Sequence, residues 1–194
     1  MMRQGASLRP LLTAFIAALV VLSPVLGQPA AEGSRAKGVK ANILRSLPRY
    51  FTWPKTSFAD AKAPLVIGVI GEDPFGATLD RLIAGLKVRN RRLGLKRFPA
   101  DDSLPSREEL SAVHMLYVSE SEKGRLPEIL ELVDGSPVVT VSDVEKFAEA
   151  GGILELALIR ANIKPRLNQS AAHAAGLQVS SKLSRMAIPV GPQP

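Results

Sequence analysis

The sequence predicts an α/β fold: a three-layer sandwich whose mostly parallel central sheet is flanked by helices and closed by a C-terminal antiparallel hairpin. Three observations predict it. Leu65–Ile70, His114–Val118 and Pro137–Val141 are short apolar runs, the pattern of strands buried on both faces. Amphipathic segments opened by capping signals alternate with them, as crossover helices do. Near the C-terminus, Ile153–Ile159 and Ile163–Leu167 are separated only by three residues, Arg160-Ala161-Asn162, which reads as a hairpin.

The elements follow in order. Residues 1–27 read as a secretory signal: Arg3 and Arg9 precede the apolar run Leu11–Leu22, and Val25-Leu26-Gly27 offers a cleavage site after Gly27. An uncleaved anchor is the weaker reading. A helix over Leu11–Leu22 reaches only about 18 Å, against a hydrocarbon core of about 30 Å. Residues 28–37 are small and polar, a flexible leader. The folded domain is then expected over residues 38–187, with 188–194, which holds three prolines, as a disordered tail.

Within the domain, Val39, Ile43, Leu44 and Leu47 fall at helical spacing, and Pro48 ends that helix before Tyr50-Phe51-Thr52-Trp53. After Leu65–Ile70, Asp73-Pro74 is expected to cap a helix whose apolar face is Leu79, Leu82, Ile83 and Leu86. Arg92–Phe98 reads as a strand. Ser106-Arg107-Glu108-Glu109 is a capping box, and Leu126–Val133 is a helix. Ser142-Asp143-Val144-Glu145 is read as a second capping box, opening a helix that stops at Gly151-Gly152. Asn168 is expected to cap a short helix over Gln169–Ala175, closed by Gly176, and Ser180–Ala187 forms a last short element.

Composition narrows the chemistry. With 194 residues the chain suits one domain plus processed sequence, and with no cysteine it can form no disulfide or thiolate metal site. Only His114 and His173 could serve acid–base or metal chemistry, and they are too far apart for an HExxH pair. Without Arg3 and Arg9 the mature chain keeps 23 basic residues against 18 acidic, a mild net charge of +5. Acidic protein surfaces or anionic headgroups, rather than nucleic acid, are the natural partners for it in an exported chain. Lys87, Arg89, Arg91, Arg92, Lys96 and Arg97 concentrate this charge. They read first as a sheet edge guarded against pairing, and second as a docking rim.

Familiar catalytic motifs fail on spacing. Gly71-Glu72-Asp73-Pro74-Phe75-Gly76 sits where phosphate loops sit, but Ala77-Thr78 replaces the Walker lysine and hydroxyl, and Glu72 and Asp73 repel phosphate. Ser119, Ser142 and Asp143 follow strand ends, where α/β proteins bind ligands. His114 begins a strand, which separates it from both serines, and no G-x-S-x-G elbow exists. Glu72, Asp73, Phe75, Ser119, Ser142 and Asp143 remain candidates for a small-ligand crevice. The aromatics Tyr50, Phe51 and Trp53 read as core, with a binding patch as the alternative. No cofactor, metal or catalytic group is assigned.

The order of segments resembles the YfiR/HmsC-like family of periplasmic proteins. The residues that carry the likeness are Val39–Leu44 leading to Phe51-Thr52-Trp53-Pro54, then Pro64–Gly76, then His114–Ser119. Pro137–Asp143 with Phe147–Gly152 adds to it, as does Asn168–Ala172 with Ala175–Leu183. Val113, Asn90-Arg91, Pro48 and Ser184 depart from the family pattern; a cysteine is frequent at the place of Val113. The resemblance implies a non-enzymatic periplasmic regulator, with dimers common among members. Such a regulator restrains an inner-membrane diguanylate cyclase by binding its periplasmic sensor region, lowering cyclic di-GMP and biofilm formation. Tyr50, Phe51, Trp53, Arg89, Arg91 and Arg92 are then the candidate partner contacts, a sensor kinase is an alternative partner, and membrane contact is peripheral only. A periplasmic small-ligand sensor or carrier is the second reading.

Overall fold

The computed structural model describes residues 29–191, apart from Asp102 and Ala161. The signal segment therefore lies outside the described residues. Among those described, no helix is long and apolar enough to cross a membrane.

Helix α1 spans Pro29–Ser46, so it takes in the stretch assigned to a flexible leader. Ala30, Ala31, Glu32, Ala36 and Lys37 are strong helix formers and outweigh the two glycines. Pro48 stops it in a 3₁₀ turn, Leu47–Tyr50, before strand β1, Phe51–Thr52. Strand β2 is Leu65–Ile70. Helix α2, Ala77–Ile83, begins after Gly76, later than the Asp73-Pro74 signal. Asp73 instead accepts the Phe75 N–H at 2.7 Å, closing an Asx turn that precedes the helix.

Strands β3, Lys87–Val88, and β4, Arg91–Phe98, form a hairpin. Its two turn residues, Arg89 and Asn90, both have positive φ, as a two-residue type I′ turn demands. The predicted capping box is present: Ser106 caps helix α3, Arg107–Ser111, and Glu109 bonds back to it. Strand β5, Met115–Val118, helix α4, Leu126–Val133, and strand β6, Val139–Ser142, follow.

Ser142-Asp143-Val144-Glu145 opens no helix, because a bend at Val144 leads into consecutive turns over residues 145–151. The Ser142 hydroxyl donates to the Val118 carbonyl at 2.8 Å and accepts the Val144 N–H at 3.0 Å. Lys146 then takes a positive φ, which a continuing helix cannot accommodate. Strands β7, Leu154–Ile159, and β8, Asn162–Asn168, make the expected hairpin. Asn168 caps helix α5, Gln169–Ala174, by accepting the Ala171 N–H. Strand β9, Gln178–Val179, pairs antiparallel with β1, and Ser180 caps helix α6, Ser181–Met186.

Residues 188–190, assigned to a disordered tail, form strand β10, Ile188–Val190, parallel to β8. Proline is tolerated in it because β10 is an edge, with one side free of any ladder.

The main sheet runs β10-β8-β7-β6-β5-β2-β4-β3. Strands β4, β2, β5, β6 and β7 are mutually parallel, whereas β8 is antiparallel to β7 and β3 to β4. Side-chain alternation splits the apolar residues between two cores. Ile67, Val69, Met115, Tyr117, Val139 and Val141 face α1, α2, α5 and α6. Ile70, Leu116, Val118 and Val138 face α3, α4 and Phe147 on the other side. That is the three-layer α/β sandwich expected of strands apolar on both faces.

Candidate functional site

The carboxyl ends of β2, β5 and β6 meet at the strand-order reversal, where open α/β sheets bind ligands. The structure brings most of the crevice candidates to this end, but commits them to one another. Phe75 packs edge-on against Tyr117, with ring centroids 4.7 Å apart. The Tyr117 hydroxyl donates to Asp143 at 2.6 Å, and Lys40 of α1 pairs with the other Asp143 oxygen. Burial, with Asp143 beside it, pushes the Tyr117 phenol well above its ordinary range. It is therefore a hydrogen-bond donor at neutral pH and no nucleophile. Asp73 holds Arg97 at 2.7 Å, and Arg97 also reaches Asp80 at 2.7 Å. The Asp80 and Asp73 bonds raise Arg97 above its ordinary value, and the Arg97 bond lowers Asp80.

The crevice itself is bridged. The Glu72 N–H donates to Ser121 Oγ at 2.9 Å and the Ser119 N–H to the Ile70 carbonyl at 3.1 Å. Gly71, at φ +89°, leaves no room above it: an added Cβ would lie 2.4 Å from Ser121 Oγ. Glu122 is buried and held by Arg125 at 2.7 Å. These contacts tie the loops after β2 and β5 to one another and occupy polar groups that a small ligand would otherwise engage.

His114 lies at the opposite end of the sheet. Its Nδ1 accepts the Val66 N–H at 3.1 Å, which places the proton on Nε2, 3.0 Å from the Ser57 carbonyl. Burial first, and Arg91 as well, hold its pKa below the usual histidine value. Phe58 stacks on the ring at 4.4 Å. Phe51 and Trp53 are buried beside it, and Tyr50 is half-buried. As core residues, Phe51 and Trp53 present no anchor to a partner at this surface.

The basic stretch divides in two. Arg91 donates to the carbonyls of Asp60 and Ala63, both at 2.8 Å, and lies 3.7 Å over the Phe58 ring. Arg97 is held as described, and Lys96 lies near Glu109 and over Phe98. Lys87, Arg89 and Arg92 are exposed at the edge. Arg92 and Lys87 border an open groove of about 270 Å³ with Lys62.

Two features escaped the sequence reading. Tyr117 lies in the core as its apolar strand predicts, but the sequence pattern does not reveal that its hydroxyl is held by Asp143, although a buried tyrosine needs a hydrogen-bond partner. The second is the outer half of the β7–β8 hairpin, where Leu158 is 75% exposed beside an open groove of about 390 Å³. A lone leucine near a hairpin tip carries no signal in sequence. Among the described residues, no cluster of three or more His, Asp or Glu could hold a metal.

The model of the YfiR/HmsC-like family matches residues 37–188, nearly all of this domain. The chain belongs to that family. YfiR/HmsC-like proteins are periplasmic regulators. Among curated proteins no relative matches. The crystal structure of the ABC domain in complex with L-Trp from Streptococcus pneumonia aligns at 13% identity and a TM-score of 0.52. The alignment covers 78% of this chain and 60% of that one. At that identity the likeness is one of fold. A phosphoglycerate oxidoreductase from Rhizobium etli aligns at 19% identity over 59% of this chain and 46% of that one. Its TM-score of 0.26 supports no argument.

Proposed function

We infer that this YfiR/HmsC-like protein is exported, is cleaved after Gly27, and restrains an inner-membrane diguanylate cyclase by binding its periplasmic sensor region. The observation that carries the reading is the family match over residues 37–188, behind a segment that reads as a signal peptide. The placement of the polar side chains supports regulation over catalysis. His114 sits at one end of the sheet, bonded to Val66 and Ser57, while Ser142 and Asp143 sit at the other, bonded within the fold. Among the described residues, no nucleophile faces a base across a space that a substrate could enter. The bridged crevice likewise disfavours the small-ligand reading.

The test is co-purification. Tagged protein from the periplasmic face of solubilised membranes should bring down a membrane protein carrying a diguanylate cyclase domain. Recovery of a sensor kinase instead would change the partner, and a purified protein carrying a bound small molecule with no membrane partner would overturn the reading.

A further inference from the structure

The edges of the main sheet are guarded in ways that differ sharply. At one end, β3 and β4 present Lys87 and Arg92, charges that discourage pairing with another strand. At the other, β10 is three residues long with Pro189 at its centre. Where β10 ends, the outer edge of β8 continues with Lys164 and Pro165. Proline and lysine at an open edge are the usual protection against added strands.

One further edge has no such guard. Strand β6 pairs with β7 only at Leu154 and Glu155, so β7 runs on past it from Leu156 to Ile159. The Asn168 N–H donates to the Ile153 carbonyl, and antiparallel alternation then turns residues 155, 157 and 159 toward β8. Leu156 and Leu158 face the other way: the parallel bridge at Ser142 and Glu155 takes the Leu156 N–H, while the Leu156 C=O and both groups of Leu158 open into space that β6 has vacated. No turn or loop backbone bond uses the Leu156 C=O or the Leu158 groups among the described residues, and the β6 ladder ends at Glu155. Leu156–Ile159 contains neither charge nor proline, and Leu158 and Ile159 are exposed large apolar residues. Beside the open edge lies the groove of about 390 Å³, walled by Asp143, Glu145, Glu155 and Arg166. Asp143 is paired with Lys40 and Glu155 with Arg166, which leaves the exposed Glu145 facing outward.

We propose that the unguarded β7 edge, Leu156–Ile159, is the docking site for an extended segment of the partner, added to the sheet as a further strand. Backbone bonds to the Leu156 C=O and to the Leu158 N–H and C=O supply register, an apolar side chain covers Leu158, and a lysine or arginine of the segment meets Glu145. The proposal rests on the reading of this chain as a protein-binding regulator, and names the surface that does the binding.

The test uses the mature chain and the full-length cyclase that co-purifies with it, in detergent. Leu158→Pro removes an N–H that β8 does not use, and Leu158→Lys keeps the backbone and adds a guarding charge. Both should leave the fold intact by circular dichroism and weaken cyclase binding by about tenfold or more, the scale of lost strand bonds and an apolar contact. Glu145→Lys should weaken it less. Amide exchange at Leu158 should slow in the wild-type complex. If the Leu158→Pro chain unfolds, the lysine variant and the exchange measurement still decide. Unchanged affinity for Leu158→Lys, with no slowing of exchange, overturns the edge while leaving the regulator reading intact. Failure of the wild type to bind any cyclase overturns both. A wild-type dimer that Leu158→Lys dissociates shows that a second copy covers the edge, and also overturns the proposal.

Discussion

Trp53 donates its indole N–H to the His114 carbonyl at 2.9 Å, tying the aromatic exit of α1 to the start of the central strand. The same carbonyl accepts the Val139 N–H at 2.9 Å, so one backbone oxygen joins three segments that are distant in sequence. This explains why an aromatic cluster at residues 51–53 packs as core. Trp53→Phe should retain the fold and lose about 1 kcal/mol, since the carbonyl keeps one partner. Trp53→Ala should cost about 3–5 kcal/mol. Urea unfolding monitored by far-UV circular dichroism measures both; equal losses would show that the indole N–H contributes nothing.

His114 gives stability a pH dependence. Its Nδ1 accepts a bond, and protonation there would replace an acceptor by a donor facing the Val66 N–H. Its folded pKa lies below the ordinary value of about 6.5, so the unfolded chain binds the proton first. Stability is therefore full above about pH 6.5 and falls as pH drops toward the folded pKa, by at most about 1.4 kcal/mol per pH unit. Thermal melts between pH 8 and pH 5 should show this slope in the wild type and a smaller one in His114→Gln. Equal slopes would assign the loss to the carboxylates.

Val139 is fully buried between β5 and β7. Val139→Asp should cost several kcal/mol by burying an unpaired charge, a large part of a typical stability of about 5–15 kcal/mol. A soluble variant with an unchanged melting temperature would contradict the central strand assignment.

Neighbouring arginines should behave differently. Arg91→Glu loses two bonds to backbone carbonyls and its seat on Phe58, and should lower the melting temperature measurably. Arg89→Glu with Arg92→Glu should change stability by about 0.5 kcal/mol or less. If the rim steers the partner, the double variant should slow association and flatten its salt dependence without changing dissociation. Surface plasmon resonance at two salt concentrations separates these outcomes.

Gly152 packs under Phe147, and an added Cβ would lie 2.1 Å from the ring. Phe147 is itself fully buried, so the ring has nowhere to go. Gly152→Ala should cost about 1–3 kcal/mol as overpacking. A neutral effect in chemical denaturation would show that the turn relaxes freely.

These cases mark what could be read from sequence. The parallel strands were legible because a strand buried on both faces needs a continuous apolar run, and Leu65–Ile70 has one. Ser106 and Asn168 were legible because their caps bond within three residues. Ser142 looked the same, yet its hydroxyl goes to Val118 on the neighbouring strand, a contact that no local pattern reveals. The C-terminal end carries no such signal for a related reason: residues 188–190 become a strand only because β8 offers them an edge. At the candidate site, Asp143 was visible as a strand-end carboxylate, but Lys40 and Tyr117 reach it from 103 and 26 residues away.

The central claim is restraint of a diguanylate cyclase, and cyclic di-GMP in the cell measures it most directly. Deleting the gene should raise the nucleotide's concentration, and the exported wild-type chain should restore it. The same chain without residues 1–27, retained inside the cell, should not. An unchanged concentration on deletion, or equal restoration by the unexported chain, would contradict the account.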